Sequence, residues 1–205
     1  MSKRKSPSNE PKHLLLLYAR LFALWRGPAL VVAAIAGVLA AWAPGALSPM
    51  SVRIPLAGVS VLSGVIFVYA LIGPRLSYVQ CRPNHLLLST PLFRLTISYN
   101  RIHTTRPVPF NPDPIRWSDH RLVGPFLGQT QVAMDLNRYP ISRRWLRFFL
   151  IDYLLPTNFV GLQFLVRDWM GLSLNIEAHR AAWKTRQRDR ERKDTLTSLT
   201  VKRRF

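Results

Sequence analysis

Two uncharged stretches, ALVVAAIAGVLAAWA at residues 29–43 and IPLAGVSVLSGVIFVYALIG at residues 54–73, decide how this chain is organised. Neither stretch contains Lys, Arg, Asp or Glu. A helix of about 20 mainly apolar residues is long enough to cross the ~30 Å hydrocarbon core of a bilayer. We therefore predict two transmembrane helices, at about residues 28–47 and 54–74.

Two other interpretations of these stretches are less favoured. Two helices buried in a soluble core would need protein on every side, and a chain of 205 residues offers little protein for that purpose. A cleaved signal peptide is the other alternative, because Ala41-Trp42-Ala43 resembles a small-residue cleavage site. The charged region before that site runs to Arg26, which is long for a signal peptide.

The charge distribution predicts the orientation of the spans. Lys and Arg number 29 against 10 for Asp and Glu, which gives a net charge of +19 and implies anionic partners. Residues 1–26 form a basic leader, whereas the connection between the spans carries only Arg53. The positive-inside rule then places the N-terminus and residues 75–205 in the cytoplasm, on the inner face of the cytoplasmic membrane.

The leader contains an apolar segment, residues 13–25, whose placement the sequence leaves open. It either lies in the membrane interface, which we favour, or extends the first span, with Gly27-Pro28 at the join. We expect three aromatic residues to anchor the chain at the interfaces: Trp25, Trp42 and Tyr78.

Small residues at four-residue spacing occur in both spans. The pairs are Ala33 with Gly37, and Ser60 with Gly64. Small side chains let helix backbones approach closely in lipid. The sequence thus predicts that these positions pack the two spans into a hairpin or join two copies of the chain.

The pattern changes after the second span to short alternating runs separated by turns. We predict a β-rich unit over residues 76–183, in which the proline-rich stretch 106–128 is a long loop or pairs only at an edge. Ser142 is expected to cap a helix over Arg143–Leu155. The predicted strands are residues 76–81, 85–90, 95–99, a possible fourth at 102–105, 130–136 and 159–166.

The C-terminal region predicts a long helix that becomes highly charged. Asp168 stands at an N-cap position before Trp169, Leu172, Ile176 and Trp183, which are spaced for one helix face. Residues 184–205 form a basic extension, predicted as helix to Lys193 and disordered beyond it.

The order of these elements resembles a bacterial pleckstrin-homology-like (PH-like) domain that follows a membrane anchor. The resemblance depends on YVQCRPNHLLL at residues 78–88 and LTISYNRI at residues 95–102. It implies an α+β membrane protein: a transmembrane helical hairpin, then a PH-like antiparallel β-domain with a C-terminal helix. Proteins of this kind resemble adaptors or scaffolds of the cytoplasmic membrane, mostly without an assigned activity.

Motifs for catalysis are scarce, so we predict no enzyme, cofactor or metal site. The sequence lacks the common phosphate-loop, dinucleotide, zinc-protease and serine-hydrolase patterns. Asp113, Asp119 and His120 match no metal-binding spacing. Cys81 beside Arg82 either has a lowered pKa or, more commonly for such a residue, is a buried apolar side chain.

Basic side chains are therefore the main functional candidates. The sequence predicts a membrane-anchored binding or scaffold protein that contacts anionic lipid or a partner protein. The arginines of the predicted helix could instead snorkel from an apolar face that packs on the sheet. An accessory subunit or assembly factor of a larger membrane complex is the alternative role, and nucleic-acid tethering by the tail is less favoured. The candidate lipid contacts are Arg82, Arg94, Arg101, Arg143, Arg144 and Arg147.

Overall fold

The computed structural model describes residues 10–42, 50–112, 115 and 117–202. The chain is α+β, with two long apolar N-terminal helices, antiparallel sheets and a long C-terminal helix. The helices are α1 (Leu16–Trp42), α2 (Met50–Leu76), α3 (His120–Val123), α4 (Arg143–Phe149) and α5 (Trp169–Lys202). The strands are β1 (Lys12–Leu14), β2 (Tyr78–Cys81), β3 (His85–Ser89), β4 (Arg94–Ser98), β5 (Ile102–Pro109), β6 (Thr130–Leu136) and β7 (Gly161–Phe164).

Helices α1 and α2 pack against each other in opposite directions and form a hairpin. Both helices are long and apolar enough to cross a membrane by length and composition, and only 17% of the most apolar window of each is buried. Both also differ from the predicted spans, because α1 begins at Leu16 and α2 begins at Met50. The end of the first predicted span falls in residues 43–49, which lie outside the described residues.

The apolar segment before the first span is not a separate interfacial helix, contrary to our expectation. Helix α1 runs through Pro28 without a break. The ring of Phe22 lies against Gly73 and makes an edge contact with Tyr69, with ring centroids 5.7 Å apart. This packing against α2 keeps residues 16–25 in line with the rest of α1, whereas residues 13 and 14 belong to β1.

The strand before the hairpin pairs with the strand after it. Strand β1 is antiparallel to β2, with Lys12 opposite Gln80 and Leu14 opposite Tyr78, and the first sheet has the order β1-β2-β3-β4. The predicted boundary between a leader of residues 1–26 and a β-rich unit of residues 76–183 therefore needs correction. Residues 12–14 belong to the sheet, because their backbone groups pair with β2.

The second sheet has the order β5-β6-β7 and is antiparallel. Strand β5 carries Pro107 and Pro109 at the sheet edge, as the proline-rich sequence requires, because proline has no N–H to donate. Leu15, which follows β1, forms an isolated antiparallel β-bridge with Val166, which follows β7. This bridge connects the second sheet to the β1 side of the first sheet.

The C-terminal helix packs on the sheets through the residues predicted from its periodicity. Leu172 and Ile176 are fully buried, and Trp169 and Trp183 pack at the edge of the same core. The helix continues to Lys202, beyond the predicted end at Lys193. Residues 194–202 are therefore helical rather than disordered, and residues 203–205 lie outside the described residues.

Candidate functional site

Both ends of the hairpin are hydrogen-bonded into the β-domain at one place. The Leu15 N–H donates to the Ser77 carbonyl at 3.1 Å, and the Leu16 N–H donates to the Leu165 carbonyl at 2.9 Å. The Ser77 hydroxyl donates to the Gly73 carbonyl at 3.0 Å and is buried. We call this side of the domain the hairpin end, and the opposite side the far end.

Strand directions assign each sheet turn to one of these two ends. Strand β2 starts at the hairpin end, and Tyr78 at its start is opposite Ser89, the last residue of β3. The turn from β3 to β4, Thr90–Phe93, therefore lies at the hairpin end. The turn from β2 to β3, residues 82–84, lies at the far end.

The six predicted lipid-contact arginines do not come together. Arg94 starts β4 at the hairpin end and is exposed. Arg82 lies in the far-end turn, and the guanidinium of Arg101, which precedes β5 at that end, donates to the Tyr139 carbonyl at 3.3 Å. Their position separates Arg82 and Arg101 from the hairpin, so we do not retain them as lipid contacts.

The other three arginines lie on α4 and have different surroundings. Arg143 is half-buried and donates to the Pro156 carbonyl at 2.9 Å, so it holds the following loop. Arg144 and Arg147 are exposed. Helix α4 itself packs on the domain through Leu146, which is fully buried. It ends at Phe149 rather than at the predicted Leu155, because Leu150 is extended.

Aromatic side chains on α4 stack on the β3–β4 turn. The Phe149 ring is stacked on Phe93 at 4.9 Å between centroids and on Trp145 at 6.0 Å, and it meets the Phe148 ring edge-on at 5.0 Å. Trp145 is 60% exposed, Phe148 79% and Leu92, in the turn, 76%. Sequence analysis missed the contribution of Leu92 and Phe93, since nothing local links a turn to a helix 50 residues later.

The end of α4 is fixed beside the first turns of α1. The Ile151 N–H donates to the hydroxyl of Tyr18 at 3.3 Å, and Tyr18 is buried. The aromatic and basic side chains around α4 are thus placed at the hairpin end. We call this set the α4 surface, and its members are Leu92, Arg94, Arg144, Trp145, Arg147 and Phe148.

Within the hairpin, three of the four predicted helix-packing residues meet. The Ser60 hydroxyl donates to the Ala33 carbonyl at 2.9 Å, and a methyl group added at Gly37 would lie 3.1 Å from the Ser60 oxygen. An added methyl at Gly64 would contact nothing within 4 Å. Ala33, Gly37 and Ser60 therefore join the two helices, whereas Gly64 faces away from this contact.

The three predicted interfacial anchors occupy two kinds of position. Trp25 and Trp42 are 58% and 82% exposed on α1, about 26 Å apart along the helix axis at 1.5 Å per residue. Tyr78 is half-buried at the start of β2, and the Lys12 ammonium lies over its ring at 4.9 Å. Tyr78 thus belongs to the sheet, at the start of an inner strand, rather than to the exposed surface of the hairpin.

The possible reactive groups of the domain are engaged in the fold. Burial raises the pKa of the Cys81 thiol to about 12, so the side chain is a neutral thiol at ordinary pH. The Glu10 carboxylate lies 2.9 Å from the Nε2 atom of His179. Among the described residues, no three His, Cys, Asp or Glu side chains cluster as metal ligands, and Asp113 lies outside those residues.

Comparison with known proteins does not assign the chain to a family. No family model matches it, and searches of curated proteins and of solved structures give no match either.

Proposed function

We propose that this chain is a membrane-anchored, non-enzymatic binding or scaffold protein whose PH-like domain lies on the cytoplasmic membrane face and contacts anionic lipid. One observation carries the proposal: an exposed apolar hairpin enters the domain at the same end as the α4 surface. The hairpin would fix the domain to the bilayer, and the arginines of the α4 surface would bind lipid headgroups.

The exposure of the hairpin supports a bilayer as its environment. Large apolar side chains cover the outer faces of both helices, for example Ile35 at 56%, Val61 at 68% and Leu62 at 62% exposed. Soluble proteins rarely expose contiguous apolar patches above a few hundred Å². In a core helix most of these side chains would be buried, whereas in a spanning helix they face lipid.

The arrangement of the sheets is compatible with a PH-like domain. Among the described residues there are seven strands, four in one antiparallel sheet and three in the other, followed by a long helix that packs on them. The hairpin is inserted between the first and second of these strands rather than placed before the domain.

Charge supports the cytoplasmic orientation and the choice of ligand. The domain side of the hairpin carries most of the basic residues, which the positive-inside rule places in the cytoplasm. Each Lys or Arg near an anionic membrane surface contributes about 1 kcal/mol of attraction. Arg94, Arg144 and Arg147 are exposed at the hairpin end, so they can reach headgroups without rearrangement of the fold.

Anchoring and orientation are tested on the full chain in cell membranes. We expect the chain to stay in the membrane pellet after an alkaline carbonate wash. We also expect an epitope placed after Phe205 to resist protease added outside intact cells. Release by carbonate would refute the anchor, and digestion of the epitope would refute the orientation.

Lipid selectivity is tested on the reconstituted full chain with spin-labelled phosphatidylglycerol and phosphatidylcholine. In the wild-type chain, the motionally restricted fraction should be larger for the anionic lipid. Replacing Arg94, Arg144 and Arg147 together by Gln should abolish that difference. The charge-matched control replaces Arg82, Arg101 and the exposed Arg188 of α5 together by Gln and should preserve it. Equal loss in both variants would mean that general charge, rather than the α4 surface, selects the lipid.

A subunit or assembly factor of a larger membrane complex is the second candidate function. It is favoured by the open sides of the hairpin, where methyl groups added at Gly27, Gly58 or Gly64 would contact nothing within 4 Å. Such places permit close approach of another helix. Extraction in mild detergent followed by size measurement separates the candidates, since a lone monomer or dimer would exclude the complex.

A further inference from the structure

We infer that the α4 surface inserts the side chains of Leu92, Trp145 and Phe148 into the interfacial layer of the leaflet that the hairpin enters. This inference depends on the proposed membrane anchor and adds a second attachment to it. The proposed function uses the arginines of this surface; the inference assigns a role to its apolar side chains.

The three apolar side chains are held outward by a rigid support. Phe149 is stacked on both Phe93 and Trp145, so its ring packs α4 against the β3–β4 turn. Leu146 fixes the opposite side of α4 in the core. The exposed rings are therefore preorganised, because packing beneath them already restricts the helix that carries them.

The surface lies beside both ends of the hairpin. The Ile151 N–H, two residues after α4, bonds the Tyr18 hydroxyl of α1 at 3.3 Å. The β3–β4 turn follows Ser89, which pairs with Tyr78, two residues after the end of α2. Leu14 and Leu76, at the two junctions of the hairpin with the sheet, are also 51% and 39% exposed. Exposed apolar side chains are therefore present on the domain at the hairpin end, beyond the α4 surface itself.

The chemistry of the surface fits a bilayer interface better than a protein groove. Exposed Trp145 and Phe148 alternate with Arg144 and Arg147 along one short helix, and exposed Leu92 lies on the adjoining β3–β4 turn. Aromatic and apolar side chains mixed with arginine are typical of segments that lie in the headgroup layer. Trp rings favour this layer because they are amphipathic. Since arginine is attracted to lipid phosphate, the charged and apolar parts of the surface would be satisfied by the same partner.

Environment-sensitive dyes at single cysteines test the inference on the full chain in vesicles. Cys81 is buried with a raised pKa, so an introduced exposed cysteine is expected to react selectively; the unsubstituted chain serves as the blank. The test variants are Phe148→Cys on α4 and Leu92→Cys on the β3–β4 turn, so the two dyes report from different elements. The matched control is Arg188→Cys, exposed on α5 beyond the sheets.

We expect blue-shifted emission at positions 148 and 92 compared with position 188. We also expect quenching by nitroxide-labelled lipid and protection from aqueous iodide at the two test positions only. Iodide quenching at 148 and 92 equal to that at 188, in a chain that still resists carbonate, would overturn the insertion and leave the anchor standing. Release of the chain by carbonate would overturn both.

A protein occupant of the surface gives a different result. Protection from iodide without quenching by lipid nitroxide would show that protein covers positions 148 and 92, which also overturns the inference. If that protection falls when the chain is diluted with lipid, the covering protein is a second copy of the chain.

Discussion

Single hydrogen bonds at the hairpin end connect elements that are far apart in the sequence. The Tyr18 hydroxyl is the clearest case, because it accepts from a backbone N–H 133 residues later. A buried N–H that loses its acceptor costs about 1–3 kcal/mol. Effects of this size are measurable in a protein whose total stability is about 5–15 kcal/mol.

Removing that hydroxyl should destabilise the contact between α1 and the segment after α4. We expect Tyr18→Phe to lower the free energy of unfolding by about 1 kcal/mol, because the half-buried Ile151 N–H loses its bond to the hydroxyl. Thermal unfolding of the detergent-solubilised chain measures the loss. Tyr78→Phe is the control, because it also removes a tyrosine hydroxyl but keeps the ring and its contact with Lys12. An equal loss of stability in both variants would show that the bond to Ile151 is not the cause.

Acidification should weaken the fold through His13. Burial lowers the pKa of His13 below its ordinary 6.5, although Asp168 opposes the shift. The unfolded chain therefore takes up a proton at a higher pH than the folded chain does. The resulting stability is complete above pH 6.5 and is lost as the pH falls from there towards the lowered pKa.

We accordingly expect the Tm to drop between about pH 7.5 and about pH 5.5, and His13→Gln to make the drop smaller. His85, whose pKa burial and Arg82 also lower, should supply part of the remaining slope. His103→Gln is the control, because that side chain is exposed on β5. An unchanged slope in His13→Gln would contradict the assignment.

Among the elements, the two helices of the hairpin should depend on one close contact. We expect Gly37→Leu to separate α1 from α2, because even a methyl group there lies 3.1 Å from the Ser60 oxygen. Overpacking of this kind costs about 1–3 kcal/mol. Gly64→Leu should be tolerated, since that position is open. Thermal unfolding compares the two variants, and equal destabilisation would mean that this contact does not hold the hairpin.

How well each element could be predicted depended on whether its signal is local. Strand β6 was predicted with its observed bounds, since alternation over seven residues is contained in the strand itself. The N-cap at Asp168 is confirmed, because its carboxylate accepts from the Gly171 N–H at 2.8 Å. Strand β1 was missed: three residues joined to an apolar helix show no alternation, and their partner strand lies beyond the hairpin.

The candidate site was predictable only in part for the same reason. Composition identified Arg144 and Arg147 with their aromatic neighbours on α4. It could not separate Arg94 from Arg82 and Arg101, because the end of the sheet at which an arginine lies depends on strand direction. The contribution of the β3–β4 turn came from the tertiary stacking of Phe93 on Phe149 of α4, which no sequence period encodes.

At the scale of the whole molecule, the domain should not fold from residues 75–205 alone, because it would lack β1, Leu17 and Tyr18. We expect a soluble, folded domain instead from residues 10–23 joined to residues 72–202. A linker of about four Gly/Ser residues spans the roughly 8–10 Å between packed helices. We expect the joined fragment to unfold cooperatively and residues 75–205 to show no cooperative unfolding. Cooperative unfolding of residues 75–205 would show that β1 is dispensable.

The position of β1 also dictates an order of events during synthesis. The ribosome makes Lys12–Leu14 first, yet the neighbour of this strand, Tyr78–Cys81, emerges only after both apolar helices have been translated. Until then the early strand has unpaired backbone groups, which is the condition that favours pairing with foreign chains. Folding of the first sheet therefore follows translation of the hairpin: both helices must leave the ribosome before β1 can pair with β2.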